Sequence, residues 1–532
     1  MAKDFLDDNA EYETTETDEA SPLATIWRIL YIFIVFVIIM GLISPSVLNI
    51  LSGWQTSNRL GPSDVAPIPP AQSDDSAAVE TEVAESNNEP ETEEIEEEII
   101  EPDITEDNSA DENVIEEADQ TLAEDEIVEQ PEALINRIAF ITIDQQVATI
   151  DPDGSNVVIL TSGDANYQFP AWSPDGQFLA SISTSGGQGS ISIIEDNQSA
   201  NPKEIYSSSS EPPFYLYWSP DSQFISFLAE NLDTPMALHL LDIEGNAQDA
   251  GQKIATGGPF YWNWGADSQS ILVHSGAAGA NARLEFIAPS GELQREDIAP
   301  PGLFQVPALS ANGRYMAYAA LDGRGTSSIV IEDLQTAEMK SFEHEGLTAL
   351  SWSPSADQLA YISTSNPEIP SFVGPLRLLD ADTGEETLLT DSFVLAYFWS
   401  PNGQYIAYFT LVNENRNEFN ARLFEQIMGR GPALSKQAGQ FDLPDFELTI
   451  VDVGTGVGQI VMTDFVPSFT FISQFMPFFD QYALSHSLWS PTSDAFLVPY
   501  LEDNLPKIAI VTPEGSQPRE LTDGRIAFWS HQ

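Results

Sequence analysis

From about residue 137 to the end, apolar and polar residues alternate in short runs broken by Gly, Asp, Asn and Pro, with little helical periodicity. That pattern predicts short β-strands joined by tight turns. Two stretches depart from it. Residues 29–51, "ILYIFIVFVIIMGLISPSVLNIL", are apolar without a charge, long enough to cross a hydrocarbon core of about 30 Å as a helix. Residues 60–136 hold roughly 27 Asp and Glu and no Lys or Arg, so they repel one another and lack the apolar surface to fold.

Within the alternating region one stretch returns. "AWSPDGQFLA" at Trp172 is followed by "YWSPDSQFIS" at Trp218, "NWGADSQSIL" at Trp264, "ALSANGRYMA" at Leu309, "SWSPSADQLA" at Trp352, "FWSPNGQYIA" at Trp399 and "LWSPTSDAFL" at Trp489. The copies lie about 43 to 47 residues apart, except for a last gap of about 90. Periods of that size mark propellers and related arrays. A second marker trails each copy, a strand ending in a polar hairpin turn such as "IDPDGS" at Asp151 or "LDADTG" at Asp380, and it occurs eight times. The missing eighth copy of the first marker is supplied by "RIAFWSHQ", which reaches the motif at Trp529 and Ser530. A last strand entering the first unit leaves no open sheet edge. The expectation is an all-β fold, an eight-bladed β-propeller of four-stranded antiparallel blades closed by the C-terminal strand, with seven blades as the alternative.

"WSPDG" followed by "FLA" or "IAY", then a strand ending D-x-x-G, then a strand ending "LT", resembles the TolB-type, WD-like propeller repeat over residues 137–532. That repeat is also found in the N-terminal propellers of prolyl-oligopeptidase-like enzymes and in many extracytoplasmic lipoproteins and membrane-anchored proteins. The resemblance implies a fold and leaves the activity open, because function lives in sites grafted onto folds. The hydrolase half of the peptidase resemblance is missing, since the chain contains no G-x-S-x-G.

The four segments expected are an acidic tail (1–24), a transmembrane helix (25–54), a disordered acidic linker (55–136) and the propeller (137–532). An acidic start and no A-x-A after the span favour an uncleaved anchor over a signal peptide. Lys3 and Arg28 precede the span and Arg59 follows it, a small bias that favours the tail inside and the propeller outside, with a cytoplasmic propeller as the alternative. The formal charge of −64 comes from 83 acidic and 19 basic side chains and argues against nucleic acid as a partner. With no cysteine, disulfides, thiolate metal sites and cysteine nucleophiles are excluded. The Asp-rich turns lack the distant Glu of a calcium loop, and "FEHEG" at His344 is not H-E-x-x-H, so no metal or other cofactor is expected.

The repeat fails in one place. After "QYIAYFTL" an insertion at about 412–446 contains "NEFNARLFEQIMGR", whose Phe419, Leu423, Phe424 and Ile427 share one side of a helix. A second long connection, "DFVPSFTFISQFMPFFDQYALSHSLWSP", crowds Phe465, Phe469, Phe471, Phe475, Phe478, Phe479 and Tyr482 together, with Asp480, Ser485 and His486 beside them. In the family topology both emerge on one face and are expected to touch. Two readings follow: a satellite core, or a binding surface formed by Phe419, Phe424, Phe469, Phe471, Phe475, Phe478, Phe479, Asp480, Tyr482 and His486. Asp, Ser and His are triad residue types, but a triad is defined by geometry rather than by nearness in sequence. The functional expectation is a membrane-anchored, non-enzymatic propeller that binds a protein, peptide or glycan outside the cell. The alternative is a propeller hydrolase or lyase, or an accessory subunit of an envelope peptidase or transport system.

Overall fold

The computed structural model describes residues 136–531 except 198–200, 232–233, 245–250, 259, 277–281, 297–305, 322–326, 345–346, 364–372 and 413–443. The N-terminal tail, the apolar span and the acidic linker lie outside the described residues, as do Phe419, Leu423, Phe424 and Ile427 of the insertion. Among the described residues no helix is long and apolar enough to cross a membrane.

The alternating pattern becomes antiparallel sheets of four strands laid down in chain order. In one of them Asn166–Trp172, Phe178–Ser185, Gln188–Glu195 and Lys203–Ser208 pair successively. The same order recurs in the sheets that begin at Pro213–Trp218, Phe260–Trp264, Ala308–Leu309 and Thr348–Trp352. The chain's two ends of this region share a sheet: Ile526–Trp529 pairs with Ile138–Ile141, which pairs with Val147–Ile150 and then Val158–Ile159. A seven-stranded sheet starts at Ala396–Trp399 and ends at Arg519–Asp523. Its middle strand, Val457–Pro467, pairs with Phe446–Asp452 along most of its length but meets Phe496–Glu502 only at Val466↔Leu501 and Pro467↔Tyr500.

Burial falls from the first strand of each sheet to the last. Phe260–Trp264 and Ile526–Trp529 are buried at every position, whereas Met339–His344 is exposed at every second one. The first strands are therefore innermost, and neighbouring sheets meet through them. The recurring Trp makes that junction by more than its bulk. Trp218 Nε1 donates to the Ala171 carbonyl at 3.1 Å, Trp352 to Ala308 at 3.1 Å, Trp399 to Ser351 at 3.2 Å and Trp489 to Phe398 at 3.0 Å. Each acceptor lies in the sheet before, one residue ahead of the previous copy's Trp or Leu. Burying an indole needs such a partner for its N–H.

The Ser of the motif closes its own turn. Ser173 Oγ donates to Asp175 at 2.6 Å and accepts from the Phe178 amide at 3.0 Å, and Ser219, Ser310 and Ser400 repeat the arrangement with Asp221, Asn312 and Asn402. The next position needs left-handed backbone. Gly176, Gly313 and Gly403 supply it at φ 73°, 68° and 69°, but Ser222, Ser268 and Ser493 also adopt it at φ 62°, 58° and 62°. A side chain there costs conformational energy. These three hydroxyls offset it by accepting from the amides of Asp175, Asp221 and Asn402 in the turn of the sheet before, at 3.0–3.1 Å.

Candidate functional site at the centre of the sheets

The connection from Pro467 to Ser487 leaves the outer strand of one sheet and must return to the centre to begin the next inner strand. Ser468 Oγ donates to the Arg525 carbonyl at 2.7 Å and starts the inward path. A π-turn at Phe471–Phe475 and a 3₁₀ turn at Met476–Phe478 follow, then one short helix, α1 (Phe479–Ser485). None of these has a side-chain cap, and a seven-residue helix is marginal alone. Its stability comes from what surrounds it.

That surrounding is the set of inner strands. The Phe479 ring lies edge-on to Tyr397 at 5.3 Å, Tyr482 edge-on to Tyr215 at 5.0 Å and against Phe169 at 5.0 Å, and Phe475 against Phe528 at 5.5 Å. The polar contacts are as specific. Gln481 Oε1 accepts the Trp262 amide N–H and its Nε2 donates to the Trp262 carbonyl, both at 3.0 Å, so a side-chain amide takes the place of a neighbouring strand. The Tyr215 hydroxyl donates to the Gln481 carbonyl at 3.0 Å and lies 2.8 Å from Ser485 Oγ. A loop held at once by Phe169, Tyr215, Trp262, Tyr397 and Phe528 occupies the axis around which their strands are arranged.

Three titratable groups sit on this plug. His486 is buried, which pushes its pKa down to about 3 against a supporting contact with the Phe169 carbonyl. The neutral ring has Nδ1 2.7 Å from Ser485 Oγ and Nε2 3.3 Å from Phe169 O, geometry that suits a proton on Nε2. Asp480 is 5% exposed, and burial pushes its pKa up to about 6, opposed by the amides of Gln481 and Val306. Its Oδ1 accepts the Gln481 N–H at 3.0 Å, while the buried Oδ2 has no hydrogen-bond partner. Burial, then the charge of Asp480, raises the Tyr397 phenol. Asp480 makes no hydrogen bond to His486, so Asp, His and Ser are not in series. Ser485 and His486 do form a close pair, but at 3% and 2% exposure a substrate has no route to it.

The residues singled out from the sequence divide as follows. Phe471, Phe475, Phe479, Asp480, Tyr482 and His486 are brought together and buried; Phe478 is half-buried and Phe469 is 65% exposed. Buried rings present no surface, so of the described aromatic candidates only Phe469, and partly Phe478, face outward. Phe465 packs separately against Phe409 and Phe446. Gln481 was not visible as a functional position, because nothing in a sequence marks an amide that pairs with a distant backbone. Among the described residues no group of three or more His, Asp or Glu is placed to hold a metal ion.

Four-stranded antiparallel sheets, packed through Trp-bearing inner strands about a common axis, define the chain's class as a β-propeller. No family model matches the sequence, and no curated protein matches it. Solved structures similar to it include TolB from Acinetobacter baumannii, at 16% identity with a TM-score of 0.32 over 72% of this chain and 78% of that one. The dihydro-heme d1 dehydrogenase NirN is similar at 13% identity, TM-score 0.45, over 75% and 76% of the two chains. An oligogalacturonate lyase in complex with manganese is similar at 9% identity, TM-score 0.38, over 72% and 83%.

Proposed function

We propose that this chain is a membrane-anchored, extracytoplasmic β-propeller of the TolB type that binds a protein, peptide or glycan and catalyses no reaction. The observation that carries the reading is the occupied centre: the side chains of catalytic type nearest the axis, Asp480, Ser485 and His486, are buried and spent on holding the plug. A buried, neutral His486 whose two ring nitrogens both have partners within the fold has no proton to exchange with a bound substrate. The apolar span 29–51 supplies the anchor, and a self-repelling acidic linker extends and lifts the domain away from the bilayer.

The blade count belongs to the same proposal. Eight blades result when the seven-stranded sheet is divided at its two-residue contact, with the bridge Trp489↔Phe496 giving the second part its inner strand. Ile526–Trp529 then closes the last junction by pairing with Ile138–Ile141.

Crosslinking and mass spectrometry on the membrane-bound protein tests the function. Lys203 and Lys253 are exposed on the sheets and are expected to crosslink to an extracytoplasmic partner, and external protease is expected to remove the propeller from intact cells. Protection from external protease, or turnover of a glycan or peptide by the purified chain, would contradict the proposal.

A further inference from the structure

The plug does not fill the axis completely. Beside the C-terminal end of α1 lies a cavity of about 220 Å³ whose walls include Trp172, Pro174, Tyr217, Trp218 and Pro220. These come from the inner strands and the motif turns of two adjacent sheets. Leu484 and Ser485 of the plug line it, as does His531, which follows the last inner strand. It is smaller than the roughly 300 Å³ at which pockets for drug-sized molecules begin, and matches one side chain better.

The wall residue Trp172 breaks the rule that its counterparts keep. Trp218, Trp352, Trp399 and Trp489 each donate Nε1–H to a carbonyl in the sheet before, whereas the Trp172 indole N–H is buried with no partner. A buried donor left unpaired costs about 1–3 kcal/mol, an energy that an arriving acceptor recovers. The Tyr217 hydroxyl is a second group that makes no hydrogen bond within the described residues, and burial raises its pKa, so it stays a phenol. Of the other polar lining groups, Ser485 Oγ is engaged by Tyr215 and His486.

Resting on the reading of this propeller as a binding module, we infer that this cavity is the anchor site for an extended peptide segment of a partner protein. One uncharged apolar side chain enters between Tyr217, Pro220 and Leu484, and the adjoining main-chain carbonyl accepts the Trp172 N–H. The few free polar groups favour a side chain over a sugar, whose many hydroxyls would lose water without replacement here. Charge sets the partner's sign. Asp175 and Asp221 follow the two wall prolines in their turns, and 83 acids against 19 bases oppose an acidic segment. A neutral or basic peptide fits.

The test uses the full chain in detergent or nanodiscs with ¹⁵N-labelled tryptophan, the Trp172 indole resonance being assigned by its loss in Trp172→Phe. The probes are the N-acetyl amides of leucine, proline and phenylalanine, with N-acetylglutamate amide and methyl glucoside as the contrasting arms. The expected result is a saturable shift of the Trp172 N–H with at least one of the three apolar amides, absent for the Trp399 N–H, and lost in Leu484→Trp. An unchanged melting temperature shows that this variant still folds. No shift with any apolar amide into the tens of millimolar, or a shift with methyl glucoside or the acidic amide in their place, overturns the inference. If crosslinks to a partner persist in Leu484→Trp, the anchor site falls while the binding reading stands; loss of crosslinks in wild type removes the reading itself.

Discussion

The motif turns and the loop 467–487 carry the same kinds of residue, Ser, Asp and large aromatics, yet use them in opposite ways. In the turn, Ser173 satisfies Asp175 and the Phe178 amide, all within five residues, and each copy rebuilds the same contacts. In the plug, Gln481 reaches Trp262, Ser485 reaches Tyr215 and His486 reaches Phe169, partners lying 219, 270 and 317 residues away along the chain. Local chemistry repeats because each unit needs it, while axial chemistry occurs once because there is one axis. The difference teaches that an irregularity in a repeat protein can be the piece that completes the repeats rather than one added to their surface.

The sharpest way to break this comparison is to remove a ring from the plug. Phe475 is fully buried and packs on Phe398, Phe471, Tyr482 and Phe528. Phe475→Ala is expected to cost about 3–5 kcal/mol, seen as a lower denaturation midpoint. A cost under about 1 kcal/mol would mean that the loop rests on the sheets without being part of their core.

Next in size is a gain. Asp480 has its carboxyl raised to about 6 in the folded chain from an ordinary 3.8, so its ionisation opposes folding. Below about pH 4 both states are protonated and nothing is lost; the penalty grows as pH rises towards 6 and is complete above it. Asp480→Asn is therefore expected to stabilise the fold at pH 8 by as much as about 3 kcal/mol, with the advantage vanishing near pH 4. Urea titrations of both proteins across that range measure it, and an advantage independent of pH would show that the charge is not the cause.

Gln481→Ala follows, leaving the Trp262 amide and carbonyl unpaired at the axis, at about 1–3 kcal/mol. Amide exchange at Trp262 reports this directly, since its N–H is expected to lose protection while the rest of Phe260–Trp264 keeps it. The smallest effect belongs to the repeat. Ser173→Ala removes one of several equivalent turn closures and is expected to cost about 1 kcal/mol in thermal melts, confined to its own sheet. A larger loss than that of Gln481→Ala would reverse the comparison.

Much of the sheet architecture was legible in the sequence because its signals are short-range. Strand alternation, the Ser–Asp closures and the turn glycines Gly176, Gly313 and Gly403 each declare themselves within ten residues. The Ser that takes the glycine's place at 222, 268 and 493 was not legible, because what stabilises its backbone is a turn in another sheet. The plug was legible as an anomaly, a run of aromatics where the spacing fails, but not as an interior. A phenylalanine looks the same in sequence whether it faces solvent, as Phe469 does, or the axis, as Phe475 does. Which one is buried depends on inner strands hundreds of residues away.

The claim that the loop 467–487 is the propeller's own axial core is tested most directly by hydrogen exchange over α1. Seven helical residues without a cap have almost no protection of their own. If the inner strands enclose them, peptides covering Phe475–His486 will exchange as slowly as those covering Ala396–Trp399. Exchange as fast as that of the exposed hairpin turns would place the loop outside the core and contradict the account.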